Sequence, residues 1–232
     1  MLSFKHILFP VDLSEQCATV APFVQAWATH FRSRVTLLNA LEMPPVYYAE
    51  STAFIGSVNV EAMLEERRRR LESFAPESFR NLEVQKIVRM GVTTMTILDF
   101  VRCEGVDLIM MPTHGYGPFR RFLLGSVAAK VLHDAGCPVW TSVHAQQPAS
   151  ASSPTDCRSV LCAVDLTAKS VGVIQWAKQL ADSYGATLRL VHAVAGWPEA
   201  NEVAAADEFR TSVFDFASKE IEKLQQQSRH ER

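Results

Sequence analysis

Residues 5–14 read KHILFPVDLS, and residues 158–167 read RSVLCAVDLT, the same pattern 153 positions later. The register holds without a gap: Asp12 falls on Asp165, Phe23 on Trp176, Phe31 on Tyr184, Leu37 on Leu190, Asn39 on His192, Ala40 on Ala193 and Pro45 on Pro198. Self-similarity of this length means that one supersecondary unit has been used twice. Between the copies, residues 145–156 read AQQPASASSPTD. Small, polar and proline-containing, this is linker composition. The predicted organisation is a complete domain over 1–144, a linker over 145–157 and an incomplete second domain over 158–232.

At 232 residues the chain is long for one compact domain and short for two. Hydrophobic residues make up 48% of it, enough for a sizeable core. A formal net charge of −2 argues against a polyanion-binding surface, since nucleic acid requires a clustered basic face. The one basic run, 67–70, follows Glu65 and Glu66 and reads as a solvated helix face. None of the five cysteines has C-x-x-C spacing; they suit a reduced compartment and read as small apolar residues. No apolar run reaches the ~18 residues of a membrane span. The first residues lack the design of a signal peptide. The expectation is a cytoplasmic protein with neither nucleic acid nor membrane as partner.

The apolar run 7–11 ends at Asp12 and predicts a buried strand. Ser14 can cap the helix that follows, on which Cys17, Val20, Phe23, Val24, Trp27 and Phe31 share a face. Residues 35–40 predict a second strand, and Pro44 and Pro45 open a loop to about residue 57. Beyond it the pattern predicts a helix over 61–75, a strand over 82–88 and a helix over 93–104 ended by Gly105. A strand over 107–111, a helix over 125–135 and a strand over 138–143 complete the first copy. Strands alternating with helices make a parallel sheet with right-handed crossovers. Five strands with helices on both faces make an α/β doubly wound sheet, whose ligands bind beyond the carboxyl ends of the strands, where strand order reverses. Asp12, Ala40 and the segment after Met111 are therefore the places to search.

The second copy predicts a strand over 160–164, a helix over 169–184, a strand over 187–191 and a last helix over 199–227. Phe209, Val213, Phe216 and Leu224 form the expected apolar face of that last helix. Two strands cannot bury both faces alone. This part leans on the first domain or on a second subunit, or is poorly ordered.

The segment with most chemical content runs Met111-Pro112-Thr113-His114-Gly115, then nine residues, then Gly125-Ser126-Val127. It leaves a strand and enters a helix. A helix start offers backbone N–H groups and a favourable dipole to phosphate, and Gly115 and Gly125 permit close approach and unusual backbone angles. Ser126 adds a hydroxyl, and Arg120 and Arg121 lie in the loop between. A plain strand–loop–helix connection with a glycine turn is the alternative, since the spacing matches neither G-x-G-x-x-G nor a Walker A loop. His114 has no second ligand at metal spacing and reads as a loop-positioning residue. Asp165 repeats Asp12 in a copy that lacks the phosphate loop.

This pattern resembles the universal stress protein family over residues 4–144, and over 158–227 as a half domain. The resemblance rests on the opening ILFPVDLS with Pro10 and Asp12, and on THG-x9-GSVAAKVLHDAGCPVW from Thr113 to Trp140. It implies an adenine-nucleotide α-hydrolase-like sheet with strand order 3-2-1-4-5. It also implies ATP or a related adenine nucleotide as ligand, with Mg2+ or Mn2+ held only through the phosphates. Asp12 would then lie at the ribose, Ala40 at the adenine, and Gly115, Gly125, Ser126 and Val127 at the phosphates, with Pro10 and Met111 also among the nucleotide-binding residues. Nucleotide-binding members carry G-x-x-G-x9-G-[S/T], and Pro112 holds the place of the first glycine. If that glycine serves by its amide or a left-handed backbone, proline removes the function; if it serves only by being small, proline fits. The family also implies a homodimer, through the fifth strand that carries Trp140 and Val143, or here through the partial second domain. Three functions follow from these residues: a nucleotide-responsive regulator in stress response, a non-nucleotide-binding dimeric scaffold, and a slow ATP hydrolase. No residue reads as catalytic.

Overall fold

A computed structural model describes residues 2–43, 59–113, 124–142, 157–194 and 203–230, the last stretch with side chains over 211–227. The predicted loop to residue 57, His114, Gly115, Arg120, Arg121, Val143, Glu199 and the Phe209 side chain lie outside these residues. The chain divides into two compact units, Ser3–Thr155 and the part from Asp156 onward.

In the first unit β1 (His6–Pro10) is buried along its whole length, as a continuous apolar run in a parallel sheet should be. Then come α1 (Glu15–Phe31) and β2 (Arg34–Leu41). Next are α2 (Val60–Glu72), the single turn α3 (Pro76–Phe79) and β3 (Val84–Met90). They are followed by α4 (Thr93–Glu104), β4 (Leu108–Pro112), α5 (Ser126–Asp134) and β5 (Val139–Ser142). The sheet is parallel throughout with order β3-β2-β1-β4-β5, the predicted doubly wound order. One face packs Leu8, Leu38, Ile109 and Met111 against Ile97, Phe100 and Val101 of α4 and Ala128 and Val131 of α5. On the other face the Phe9 ring lies 6.2 Å from Phe74 and 6.4 Å from Phe79, centroid to centroid.

Ends of elements follow local chemistry. The helix predicted over 61–75 stops at Glu72, because Ala75 turns left-handed (φ 42°) ahead of Pro76, which disfavours a helical residue before it. Leu82 N–H donates to Phe79 O, so the third strand starts at Val84, two residues later than its alternation suggests. On α1 the fully buried residues are Cys17, Val20, Ala21, Val24 and Ala28. Phe23, Trp27 and Phe31 are only half-buried, on the flank of that stripe. There Phe4 meets Trp27 and Phe31, and Phe23 lies 5.6 Å from Trp140 of β5. Cys103, read as an apolar residue, is exposed at the end of α4.

The second unit contains β6 (Ser159–Ala163), α6 (Ser170–Tyr184), β7 (Thr187–Val191) and α7 (Val203–His230). Its two strands pair in parallel, and every pair is a β1–β2 pair moved by 153: Ser159↔Thr187 repeats His6↔Arg34, and Cys162↔Leu190 repeats Phe9↔Leu37. One face of this small sheet is covered. Cys162, Val164, Ile174, Ala177 and Leu224 form its core, with Val160, Leu188 and Leu190 against it. The other face, carrying Leu161 and Ala163 of β6 and Arg189 and Val191 of β7, is exposed. On α7 the buried seam runs through Val213, Ala217, Ile221 and Leu224. Phe216, expected on it, is 63% exposed, because Ala217 holds the inward position one residue on.

Candidate functional site

At the carboxyl end of β1 the chain makes a tight turn. Leu13 is left-handed (φ 63°), which an L residue adopts only when its neighbours hold it. The hold comes from Asp12, whose Oδ1 accepts the Ser14 amide at 2.9 Å and the Cys17 thiol at 3.0 Å. Ser14 then caps α1, its Oγ accepting the Cys17 amide at 3.2 Å. Burial, then the Asp12 charge, push the Cys17 thiol up to about 12, so it stays protonated and donating.

Two bonds tie this turn to β2. Val11 N–H donates to Leu38 O at 2.9 Å, and Asn39 Nδ2 donates to Val11 O at 2.7 Å. Asn39 is 2% exposed, and its Oδ1 is buried with no hydrogen-bond partner among the described residues. Ala40, next to it, is half-buried and pairs with Arg89 of β3.

On the other side of β1, β4 ends at Pro112, which pairs with Ser142 of β5, so proline is seated within the sheet. Thr113, 5% exposed, donates both its amide (3.2 Å) and its hydroxyl (3.1 Å) to Ser142 O. The chain that leaves at Thr113 is closed by Gly125, whose N–H donates to Thr113 O at 2.9 Å. Gly125 is the N-cap of α5, and among the described residues no side chain caps that helix start. The first amides of a helix have no intrahelical partner, and here they stand beside the β4 terminus with Ser126 exposed. Gly125 has φ −59° and ψ 146°, which any residue can adopt. Nothing in that backbone angle requires glycine. Val127 packs on the core beneath. Pro10 and Met111 are likewise buried, so Met111 offers the region only its backbone.

The sheet order thus brings Asp12, Ala40 and the Met111–Thr113 segment to the ends of three adjacent strands, with Gly125 and Ser126 tied to the third. Gly115 lies outside the described residues. Among these residues no group of three or more His, Cys, Asp and Glu side chains could hold a metal ion.

The second unit rebuilds the Asp12 turn. Leu166 is left-handed (φ 60°), and Asp165 Oδ1 accepts the Thr167 amide (3.0 Å), the Thr167 hydroxyl (2.8 Å) and the Ser170 hydroxyl (2.8 Å). Those hydrogen bonds, the Thr167 amide first, hold its carboxyl down at about 2. The His192 ring, through Nδ1, bonds Val164 O at 2.8 Å, where Asn39 bonds Val11 O. The roles of Cys17 and Asn39 were missed in the sequence. The repeat carried the signal, since it sets Cys17 on Ser170 and Asn39 on His192, hydrogen-bonding side chains at both places in both copies.

At the opposite end of β1, His6 is 2% exposed; its Nε2 lies 2.8 Å from Thr36 Oγ1, and its Nδ1 lies 3.0 Å from Arg34 Nη2 and 3.2 Å from Glu104 O. Burial, with the Arg34 charge adding to it against the pull of the Glu104 carbonyl, keeps the ring below its ordinary 6.5. The unfolded chain therefore binds the extra proton first, and stability is lost as pH falls through about 6.5. Urea unfolding between pH 7.5 and 5.5 should show a falling midpoint, and His6→Gln, which bonds but does not titrate, should flatten that slope.

A family model described as the universal stress protein family matches residues 3–142 and again residues 157–232. A universal stress protein of Methanocaldococcus jannaschii is 27% identical over 150 residues, covering 59% of this chain and 93% of the relative. One from Thermus aquaticus is 30% identical, covering 59% of this chain and 96% of the relative. The solved structure of the Methanocaldococcus protein overlays with a TM-score of 0.52, covering 60% of this chain and 96% of that one. A functionally unknown protein of Pseudomonas aeruginosa shares the fold at 17% identity, with a TM-score of 0.58, over 97% of this chain and 70% of that one.

Proposed function

The chain belongs to the universal stress protein family, and on that premise we propose that its first unit binds ATP or a related adenine nucleotide and acts as a nucleotide-responsive regulatory protein in stress response. Asp12 would take the ribose hydroxyls and the Ala40 backbone the adenine. Gly125, Ser126 and Val127, with Gly115, would take the phosphates. A divalent cation, Mg2+ or Mn2+, would be held through phosphate oxygens, where it would neutralise charge. The observation that carries this reading is the side-chain-free cap of α5, tied by the Gly125–Thr113 bond to the end of β4 and two strands from Ala40. A helix start, whose first amides have no intrahelical partner, and its dipole fit phosphate. The location is the one where open parallel sheets bind ligands.

Calorimetric titration with Mg-ATP tests the proposal beside Gly125→Val. Because Gly125 already has a conformation open to valine, this variant should fold as the parent does while its side chain fills the phosphate path. The expected result is measurable binding by the parent, weakened by on the order of 100-fold in the variant, equal to about 2.7 kcal/mol. A folded parent that gives no heat and no thermal shift with Mg-ATP would overturn the reading. Pro112 would then favour the second one, a dimeric scaffold pairing through β5 or the second unit.

A further inference from the structure

We infer that Cys17 is a positioning residue for Asp12, fixing which carboxylate oxygen is left for a ligand and thereby setting the preference for a sugar that carries hydroxyls. The inference rests on the nucleotide reading and goes one step further, to a side chain that would never touch the nucleotide.

Among the described residues two hydrogen bonds reach the Asp12 carboxylate, from the Ser14 amide and the Cys17 thiol, and both end on Oδ1. A carboxylate is free to rotate about its last bond, and one amide donor alone leaves its plane loosely defined. A second donor from a different direction fixes it. Cys17 is 2% exposed, on the first turn of α1, so its sulfur is itself held by packing. Oδ2 accepts no hydrogen bond within the described residues and is the oxygen available to a hydroxyl.

The second unit supplies an independent instance. Ser170, which the repeat sets on Cys17, is also 2% exposed and donates to Asp165 Oδ1 at 2.8 Å. Both copies place a buried donor five residues after the aspartate and aim it at the same oxygen. A residue needed only to fill space in α1 would not have to be a donor in either copy. In a wall otherwise made of Val20, Ala21 and Val24, a thiol meets the requirement with less polar surface than a hydroxyl.

The test uses the full chain, titrated by calorimetry with Mg-ATP and with Mg-2′,3′-dideoxy-ATP, which lacks the hydroxyls Asp12 would hold. Cys17→Val keeps the volume and removes the donor; Cys17→Ser keeps a donor and copies the second unit. The parent should prefer ATP. Cys17→Val should cut that preference about tenfold, the scale of one hydrogen bond to a charged group, with the dideoxy affinity unmoved. Cys17→Ser should retain the preference. An unchanged preference in Cys17→Val, or equal weakening of both nucleotides, would overturn the positioning role while leaving nucleotide binding in place. A parent that binds neither nucleotide would overturn both.

Discussion

Leu8→Ala should lower the unfolding free energy of the first unit by about 2–5 kcal/mol, the usual cost of emptying a buried leucine site. Leu161→Ala, the same change at the same place in the repeat, should shift stability by no more than about 0.5 kcal/mol. Leu8 is 0% exposed and Leu161 is 66% exposed. Strand, neighbour strand and register are the same, so local sequence does not separate the two cases. What separates them is cover. Leu8 lies under Ile97, Phe100 and Val101 of α4 and Ala128 and Val131 of α5. The described residues of the second unit contain no counterpart of those helices, and its sheet is covered on the Val160 and Cys162 side alone. Urea unfolding of the two variants beside the parent measures the contrast directly. If Leu161→Ala cost as much as Leu8→Ala, the face bearing Leu161 and Val191 would be buried in solution.

That contrast also shows what could be read from the chain. The repeat and the helix–strand alternation carry the fold, because each is a period of side chains on one face. Even so, periodicity located elements better than it located their ends. The end of α2 depends on Ala75 turning left-handed before Pro76, and the start of β3 depends on a backbone bond from Leu82 to Phe79. Neither leaves a trace in hydrophobic period. Phe216 was misplaced for a related reason. Four apolar side chains can be fitted to one stripe of α7, but the small Ala217 decides which stripe is pressed against the strands.

The placement of the candidate site was legible to the extent that a single residue type implies a job. Asp12 at a strand end and Gly125-Ser126 at a helix start are such cases. Asn39 and Cys17 are not, since each works by holding backbone or a neighbouring carboxylate. Pattern alone read Cys17 as one more apolar residue on α1, and only the bond to Asp12 gives it a role. Gly125 shows the converse. Its glycine suggests a strained turn, yet its backbone is ordinary, so conformation alone does not call for glycine there.

Asn39→Asp should be the most damaging polar substitution at this edge of the sheet, costing about 3–5 kcal/mol at neutral pH as an unpaired buried charge. Asn39 Nδ2 donates to Val11 O at 2.7 Å from a position 2% exposed. An introduced carboxylate would set a negative oxygen against that carbonyl oxygen and would lose its water on burial. The penalty has a defined pH dependence. Burial raises the folded-state pKa of the new carboxyl above its unfolded value. The folded state therefore binds the proton first, and the deficit against the parent should shrink as pH falls through that raised value. Once protonated, the group has an O–H to give to Val11 O, replacing the lost donor. Asn39→His should be tolerated far better, because the second unit already makes this bond with a histidine, His192 to Val164 O at 2.8 Å. Urea midpoints of the parent and both variants at pH 7.5 and 5.5 decide the matter. A small, pH-independent loss in Asn39→Asp would mean that the clamp between the ends of β1 and β2 does not need its hydrogen bond.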